Sequence, residues 1–446
     1  MMETRSAKRK KYWVEGENGI DRISDLPDVV LHHILFFLPI KTIAQTSVLS
    51  KRWRSLWSSF PDLDFTSVNP IGVSSTNIDQ SSDEKRTFSS KPMDFINQVL
   101  ALRDKHSDLR ILRVRASLSF SRLNGLIRLA IRQNVQELDV EVATNDYFNF
   151  PRSVITSETL RVFKLRSRSP GFRLPPPPVM KAGFQCLQSL SLSLVYLSSQ
   201  PSLLDLFTDS SFPRLKKLSL DNCFGLKNLK VSCLGLEDLT LENCYQLHGL
   251  DVSGPKLKRL RVACCFGPYC DKSWVKINAP SLRIMVWENN PITRTSCFEN
   301  LSLVHEASIG FFVSENVSVA RLQSVSSLIS GISHAHCITL ESRCIEKWNK
   351  DLWATPSSEE EQFWESQTQS LNSFLNHLSV VKMHGFLECE NEVSLAKFLL
   401  KHGKALQEMT ICSGHNNYRD SLRRQKIRSQ MMGFSRASSN AKITFL

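Results

Sequence analysis

Cys223, Cys244 and Cys265 recur every 21 residues, each closing a nine-residue string: LKKLSLDNC, LEDLTLENC and LKRLRVACC. A thiol can attack as a nucleophile, bind a metal or form a disulfide. Nucleophilic use needs an exposed, electropositive setting that favours the thiolate. Zinc needs ligands at short fixed spacings, yet no CxxC pair occurs, and Cys264, Cys265 and Cys270 lack partners at such spacing. His334, His336 and Cys337 gather ligand types in one stretch, but the apolar frame Ala335, Ile338, Leu340 runs through them and predicts a strand. GxxxxGK, GxSxG, HExxH and GxGxxG are all absent. The residues therefore predict no catalytic centre, no metal and no cofactor.

What spaces the cysteines is a repeat. Twelve times between Leu109 and Ile411 an apolar residue is followed three and five places later by two more. The regular copies are Leu215–Leu218–Leu220, Leu236–Leu239–Leu241 and Leu257–Leu260–Val262. Looser copies start at Leu109, Val135, Leu160 and Leu187 before them, and at Leu282, Val304, Ala335, Leu378 and Leu406 after them. A fixed period of this size marks a solenoid, in which each turn buries its apolar face only against its neighbours. Alternation predicts Leu218 and Leu220 facing in and Lys217, Ser219 and Asp221 facing out. A second set, Leu226, Leu229 and Val231, then Leu247, Leu250 and Val252, predicts further short strands on the convex side. The frame places the repeat cysteines in the core as small buried thiols, as expected in a reducing compartment.

Of the net charge of +13, most sits in two tails. One holds Arg5 and Lys8–Lys11; the other holds Arg419 to Arg436 and Lys442, and reads as solvated and mobile. The near-neutral body makes nucleic acid an unlikely partner. MMETRSAKRKK has no apolar leader, and the long uncharged runs at 185–204 and 322–340 are broken by Ser, Pro or Gly, so no membrane association is expected. The expected location is nucleus and/or cytoplasm, with Lys8–Lys11 as a candidate import signal.

The organisation reads as a basic tail at 1–20, an apolar-aromatic block at 21–65, a polar linker at 66–91 and repeats at 92–354. An acidic loop at 355–370, with Glu359, Glu360, Glu361 and Glu365, precedes a distinct region at 371–446. Pro92 is expected to open a helix with Phe95, Val99 and Leu102 on one face, and Pro175 to Pro178 an extended excursion. In the block, Ser24 or Asp25 is expected to cap a helix with Pro27 in its first turn and an apolar stripe of Val30, Leu31, Ile34, Leu35 and Leu38. Pro39 ends it; a second helix holds Ile43, Ala44 and Val48, and a third runs from about Ser50 through Trp53, Leu56 and Trp57. Three short helices leave more apolar surface than they can bury, which predicts a partner interface.

The strings LPDVVLHHILFFLPIK and TSVLSKRWRSLW resemble the F-box of the large plant family that joins an F-box to leucine-rich repeats. LSVVKMHGF followed by EVSLAKFLLKHGKALQEMTI resembles the FBD domain that ends many of its members. The fold this resemblance implies is a mixed α/β solenoid: a small three-helix F-box, a leucine-rich-repeat horseshoe and an FBD-like C-terminal cap. It further implies a non-catalytic substrate receptor. The F-box would dock on the SKP-type adaptor of a cullin–RING ubiquitin ligase through Leu26, Pro27, Leu31, Leu35, Leu49 and Trp53, some of which would instead fill the core. The repeats would hold an unknown target protein. Outward positions of mixed sign are the candidate target contacts: Arg113, Arg115, Glu137, Asp139, Lys164, Arg166, Arg259 and Arg261. The alternatives are a leucine-rich-repeat scaffold, including a GTPase regulator, or a nuclear binding protein outside any ligase. The scaffold reading leaves the block at 21–65 unexplained.

Overall fold

A computed structural model describes residues 23, 25–68, 91–117, 120–143, 148–149, 152–167, 172–173, 183–197, 206–267, 272–312, 327–341, 368–369, 371–386, 390–413 and 421–446. The basic N-terminal tail, nearly all of the polar linker, Pro175–Pro178 and Glu359–Glu365 lie outside these residues. The chain divides into two compact units, one running to Leu112 and the other from Arg113.

The first unit opens with three helices, α1 (Asp28–Phe36), α2 (Ile40–Thr46) and α3 (Lys51–Ser58). Pro27 and Pro39 stand at the N-caps of α1 and α2, where an absent N–H leaves nothing unsatisfied. The N-cap position of α1 is Pro27, with no side-chain cap hydrogen bond, so Asp25 does not play the expected part; Ser24 lies outside the described residues. Ser50 does cap α3, its hydroxyl accepting the Trp53 N–H at 3.2 Å. Leu31, Leu35, Ile40, Ile43, Leu56, Trp57 and Phe60 form the core. Strand β1 (Asp62–Asp64) and helix α4 (Lys91–Leu102) complete the unit. Ile96, Val99 and Leu100 face inward from α4, while Leu102 is exposed, so the expected stripe of Phe95, Val99 and Leu102 is turned by about one residue. Arg103 explains the turn. It points inward to donate to the carbonyls of Phe60 and Asp108, and burial lowers its pKa.

The second unit runs through β2 (Ile111–Ser117), whose first residues belong to the first unit, α5 (Phe120–Arg132), β3 (Glu137–Ala143), β4 (Phe148–Asn149) and α6 (Arg152–Ile155). Next come β5 (Val162–Ser167), β6 (Phe172–Arg173), β7 (Ser189–Ser193), β8 (Phe207–Thr208), β9 (Lys217–Asp221) and β10 (Asn228–Ser232). The chain continues through β11 (Asp238–Glu242), β12 (Gly249–Ser253), β13 (Arg259–Ala263), β14 (Trp274–Asn278), β15 (Ile284–Pro291) and β16 (Thr295–Glu299). The last elements are β17 (Glu306–Phe312), β18 (Cys337–Glu341), α7 (Asn372–His377), β19 (Val380–Phe386), α8 (Glu390–His402), β20 (Glu408–Ser413), α9 (Ser421–Met432) and β21 (Lys442–Phe445).

From β3 onward, β3, β5, β7, β9, β11, β13, β15, β17, β18, β19, β20 and β21 lie side by side in chain order. They pair in parallel, and the first eleven of them carry the apolar copies that start at Val135 and end at Leu406. Leu218, Leu239, Leu260 and Met285 are direct partners, as are Leu220, Leu241, Val262 and Trp287. All eight are buried, and each side chain of this size contributes roughly 1.5–3 kcal/mol by leaving water. A second parallel sheet, β8–β10–β12–β14–β16, supplies the other wall, with Leu229, Leu250 and Val275 in register. These are the further short strands that the second apolar set predicts.

Seven places after the repeat starts at Leu187, Leu215, Leu236, Leu257 and Leu282 the backbone turns left-handed, at Leu194, Asn222, Asn243, Cys264 and Asn289, with φ between 50° and 59°. Asn tolerates this region well, which accounts for the DN, EN and EN strings that end the copies. The next residue points inward: Cys223, Cys244, Cys265, and then Asn290, which is fully buried. Asn290 accepts the Cys265 N–H and donates to the Val262 carbonyl, both at 2.8 Å, and so carries the cysteine ladder on with an amide.

Residues 421–446 correct the reading of a mobile basic tail. They form α9 and β21, with β21 pairing along β20 from Lys442–Glu408 to Phe445–Ile411. No described helix is long and apolar enough to cross a membrane.

Candidate functional site

The helical block presents a strongly apolar surface. Val29, Phe37, Val48 and Leu49 are 66–80% exposed, and Ile34, Phe36, Val30 and Leu38 are also well exposed. A wide helical stripe explains this: within α1 only Leu31 and Leu35 are buried, and no described residue covers the rest of the stripe. The six residues expected at an adaptor interface therefore separate. Pro27 and Leu49 are exposed, and Leu26 and Trp53 are half-buried. Leu31 and Leu35, at 1% exposure each, lie in the core. Val29, Phe37 and Val48 belong to the exposed surface instead. The signal for Val29 and Phe37 was the aromatic-apolar density of VVLHHILFFL, which gives no direction for any single side chain.

On the solvent face of the first sheet the outward charges are in large part already satisfied. Arg113 lies 3.0 Å and Lys164 3.7 Å from Glu137, Arg115 2.7 Å from Glu141, and Lys164 3.9 Å from Asp139. Arg259 pairs with Asp238 at 3.1 Å. Arg261 bridges Glu242 on one side and Glu288, at 3.1 Å, on the other. Burial works against the Arg261 charge, and the bonds to Glu242 and Glu288 outweigh it and raise the pKa. Ser308 donates to the same Glu288 at 2.6 Å, and Ser193, Asn222 and Asn243 all donate to Asp221. Arg166 is exposed and forms no ion pair among the described residues. Between the charged strands, β7 offers Ser189, Ser191 and Ser193. On this face the cations are held between carboxylates of neighbouring turns.

Cys223, Cys244 and Cys265 are all buried; hydrogen bonds from Cys223 and then Cys265 hold the Cys244 thiol well below its usual range, and its two partners move the other way. Contact with Cys244 and then burial push the Cys223 thiol up; burial, then Cys244, does the same for Cys265. Burial raises Cys233 to about 12. His336 lies on a repeat edge with its Nδ1 3.0 Å from the His377 carbonyl, and Ile338 stacks on Ala307 as the frame requires. Among the described residues no three His, Cys, Asp or Glu side chains are grouped to hold a metal.

The geometry defines a class: a three-helix module with an unburied apolar surface, joined in one chain to a leucine-rich parallel-strand solenoid. Family models match accordingly. The F-box domain covers residues 23–64, the At1g61320/AtMIF1 LRR domain residues 102–304, and FBD residues 368–411. Putative F-box/FBD/LRR-repeat protein At4g03220 of Arabidopsis thaliana is 45% identical over 513 aligned positions, covering 100% of both chains. F-box/FBD/LRR-repeat protein At3g26920 of the same plant is 26% identical over 98% of this chain and 99% of its own. F-box/LRR-repeat protein At4g14096 is 30% identical over 49% of this chain and 39% of its own. This chain belongs to the plant F-box/FBD/LRR-repeat family.

Proposed function

We propose that the chain is the substrate-recognition subunit of an SCF-type cullin–RING E3 ubiquitin ligase. An F-box is in general a docking module for an SKP-type adaptor, and family members of this kind are in general non-catalytic adaptors. The carrying observation is the exposed apolar surface of Val29, Phe37, Val48 and Leu49 on a module too small to bury it. Through the adaptor this surface would connect to the cullin and RING subunits, while the first sheet's solvent face holds a target protein. Catalysis would then be proximity: the target's effective concentration near the transferred ubiquitin rises with no bond made by this chain. The expected location is nucleus and/or cytoplasm, with Lys8–Lys11 acting in import; a fluorescent fusion lacking residues 1–11 should shift toward the cytoplasm.

The test is co-purification with an SKP-type adaptor. Val48→Glu with Leu49→Glu should abolish it while thermal melting of the chain stays unchanged, because both side chains face solvent. Wild-type recovery of adaptor by the double variant would mean that the contact face lies elsewhere; no recovery of adaptor by the unaltered chain would leave a leucine-rich scaffold or nuclear binding protein acting outside a ligase as the better reading.

A further inference from the structure

Charge on the first sheet is in large part paired across strands; on the last helix Lys426 and Arg428 form no ion pair among the described residues. Helix α9 reads SLRRQKIRSQMM, with four Arg and Lys and no Asp or Glu, and 433–446 adds Arg436 and Lys442, again with no acid. From Gln425 to Met432 only Met431 is buried; Lys426 and Arg428 are exposed. Lys426 forms no ion pair among the described residues, and Arg428 lies 5.0 Å over the Phe445 ring rather than on a carboxylate. The helix is nevertheless anchored. Ala437 donates its N–H to the Leu400 carbonyl of α8 at 2.9 Å, and Arg436 donates to the Ala441 carbonyl at 2.6 Å. Like charges on successive turns of one helix repel, which an anionic partner would relieve.

We infer that α9 is a docking surface for an acidic polypeptide segment. Charge complementarity selects an anionic partner, and two features select polypeptide over nucleic acid. The helix is about 18 Å long, which matches five or six extended residues. The face of Phe445 is occupied by Arg428, so it offers no ring on which a base can stack. This surface lies beyond the stretch matched by the FBD model, and it does not depend on the ligase reading.

Fluorescence anisotropy on the full chain, with no adaptor present, tests it, using a labelled deca-glutamate peptide and a labelled short DNA duplex in parallel. The peptide should bind, with affinity falling as salt rises. Lys426→Gln and Arg428→Gln should each weaken it by about two- to fivefold. Lys276→Gln on β14 makes the same change in net charge and should leave affinity unaltered. Lys426 is exposed, so its variant remains interpretable even if Arg428→Gln disturbs the Phe445 contact. Three results would each overturn the proposal: no peptide binding, an equal loss with Lys276→Gln, or tighter binding of the duplex than of the peptide.

Discussion

Arg52 donates from both Nε and Nη2 to one carboxylate oxygen of Asp28, at 3.0 and 2.7 Å, and its Nη2 also reaches the Leu26 carbonyl. One guanidinium thus ties the start of α3 to the first turn of α1, a helix that has no side-chain cap of its own. Asp28 also sits where a helix macrodipole favours negative charge. This gives the LSKRWR string a structural meaning apart from partner contact.

Arg52→Ala should lower the stability of the helical block by about 1 kcal/mol, the upper end for an exposed pair, since both side chains remain partly in water. Adaptor recovery should fall with it and return at lower temperature. Thermal melts paired with pull-downs at two temperatures measure this.

Leu35→Ala and Leu49→Ala should behave oppositely. Leu35 is buried, so its truncation leaves a cavity and costs about 2–5 kcal/mol. Leu49 is exposed, so its truncation should change stability by no more than about 0.5 kcal/mol while weakening adaptor recovery. Chemical denaturation of the two variants separates core from interface.

Leu239→Ala should cost about 2–5 kcal/mol, because Leu239 stacks between Leu218 and Leu260 and is fully buried. In a solenoid both adjoining turns loosen, so limited proteolysis should cut near β11. Asp238→Ala removes only the pair with Arg259 and should cost about 1 kcal/mol or less. An equal loss in the two variants would contradict the register.

Cys264→Asn should stabilise by roughly 0.5–1 kcal/mol, since Cys264 holds φ at 53° where the equivalent positions Asn222, Asn243 and Asn289 carry the residue best suited to it. A higher melting temperature is the expected result.

Alkaline pH should destabilise the second unit through Cys233. Its folded pKa, raised by burial and then by Asp209 to about 12, exceeds that of the free thiol, so its stabilising contribution is complete below about pH 9. As pH climbs, the unfolded chain loses the proton first, and the contribution is lost between about pH 9 and 12, up to roughly 4 kcal/mol. Cys233→Ala should show a shallower fall in urea midpoint across that range.

The sequence by itself determined the parts governed by local periodicity. A strand's period of two sets which of Leu218, Ser219 and Leu220 face in, and a 21-residue recurrence can be met only by stacking turns. The same logic located the three helices, since prolines and a capping serine act on their own neighbours. Direction within a wide apolar stripe is a different matter: Leu31 and Leu49 are equally hydrophobic, and only the placement of the other helices makes one core and the other surface. Likewise, Arg261 meets Glu242 and Glu288 across 19 and 27 residues of chain, a pairing created by strand register and absent from any local pattern. The basic C-terminal segment read as solvated because its own composition buries little. It is ordered by what it touches, through Met431, the Ala437 bond to Leu400 and the ladder between β21 and β20. Tertiary structure decided these features because long-range contacts offset an ordering entropy that the segment's own composition cannot meet.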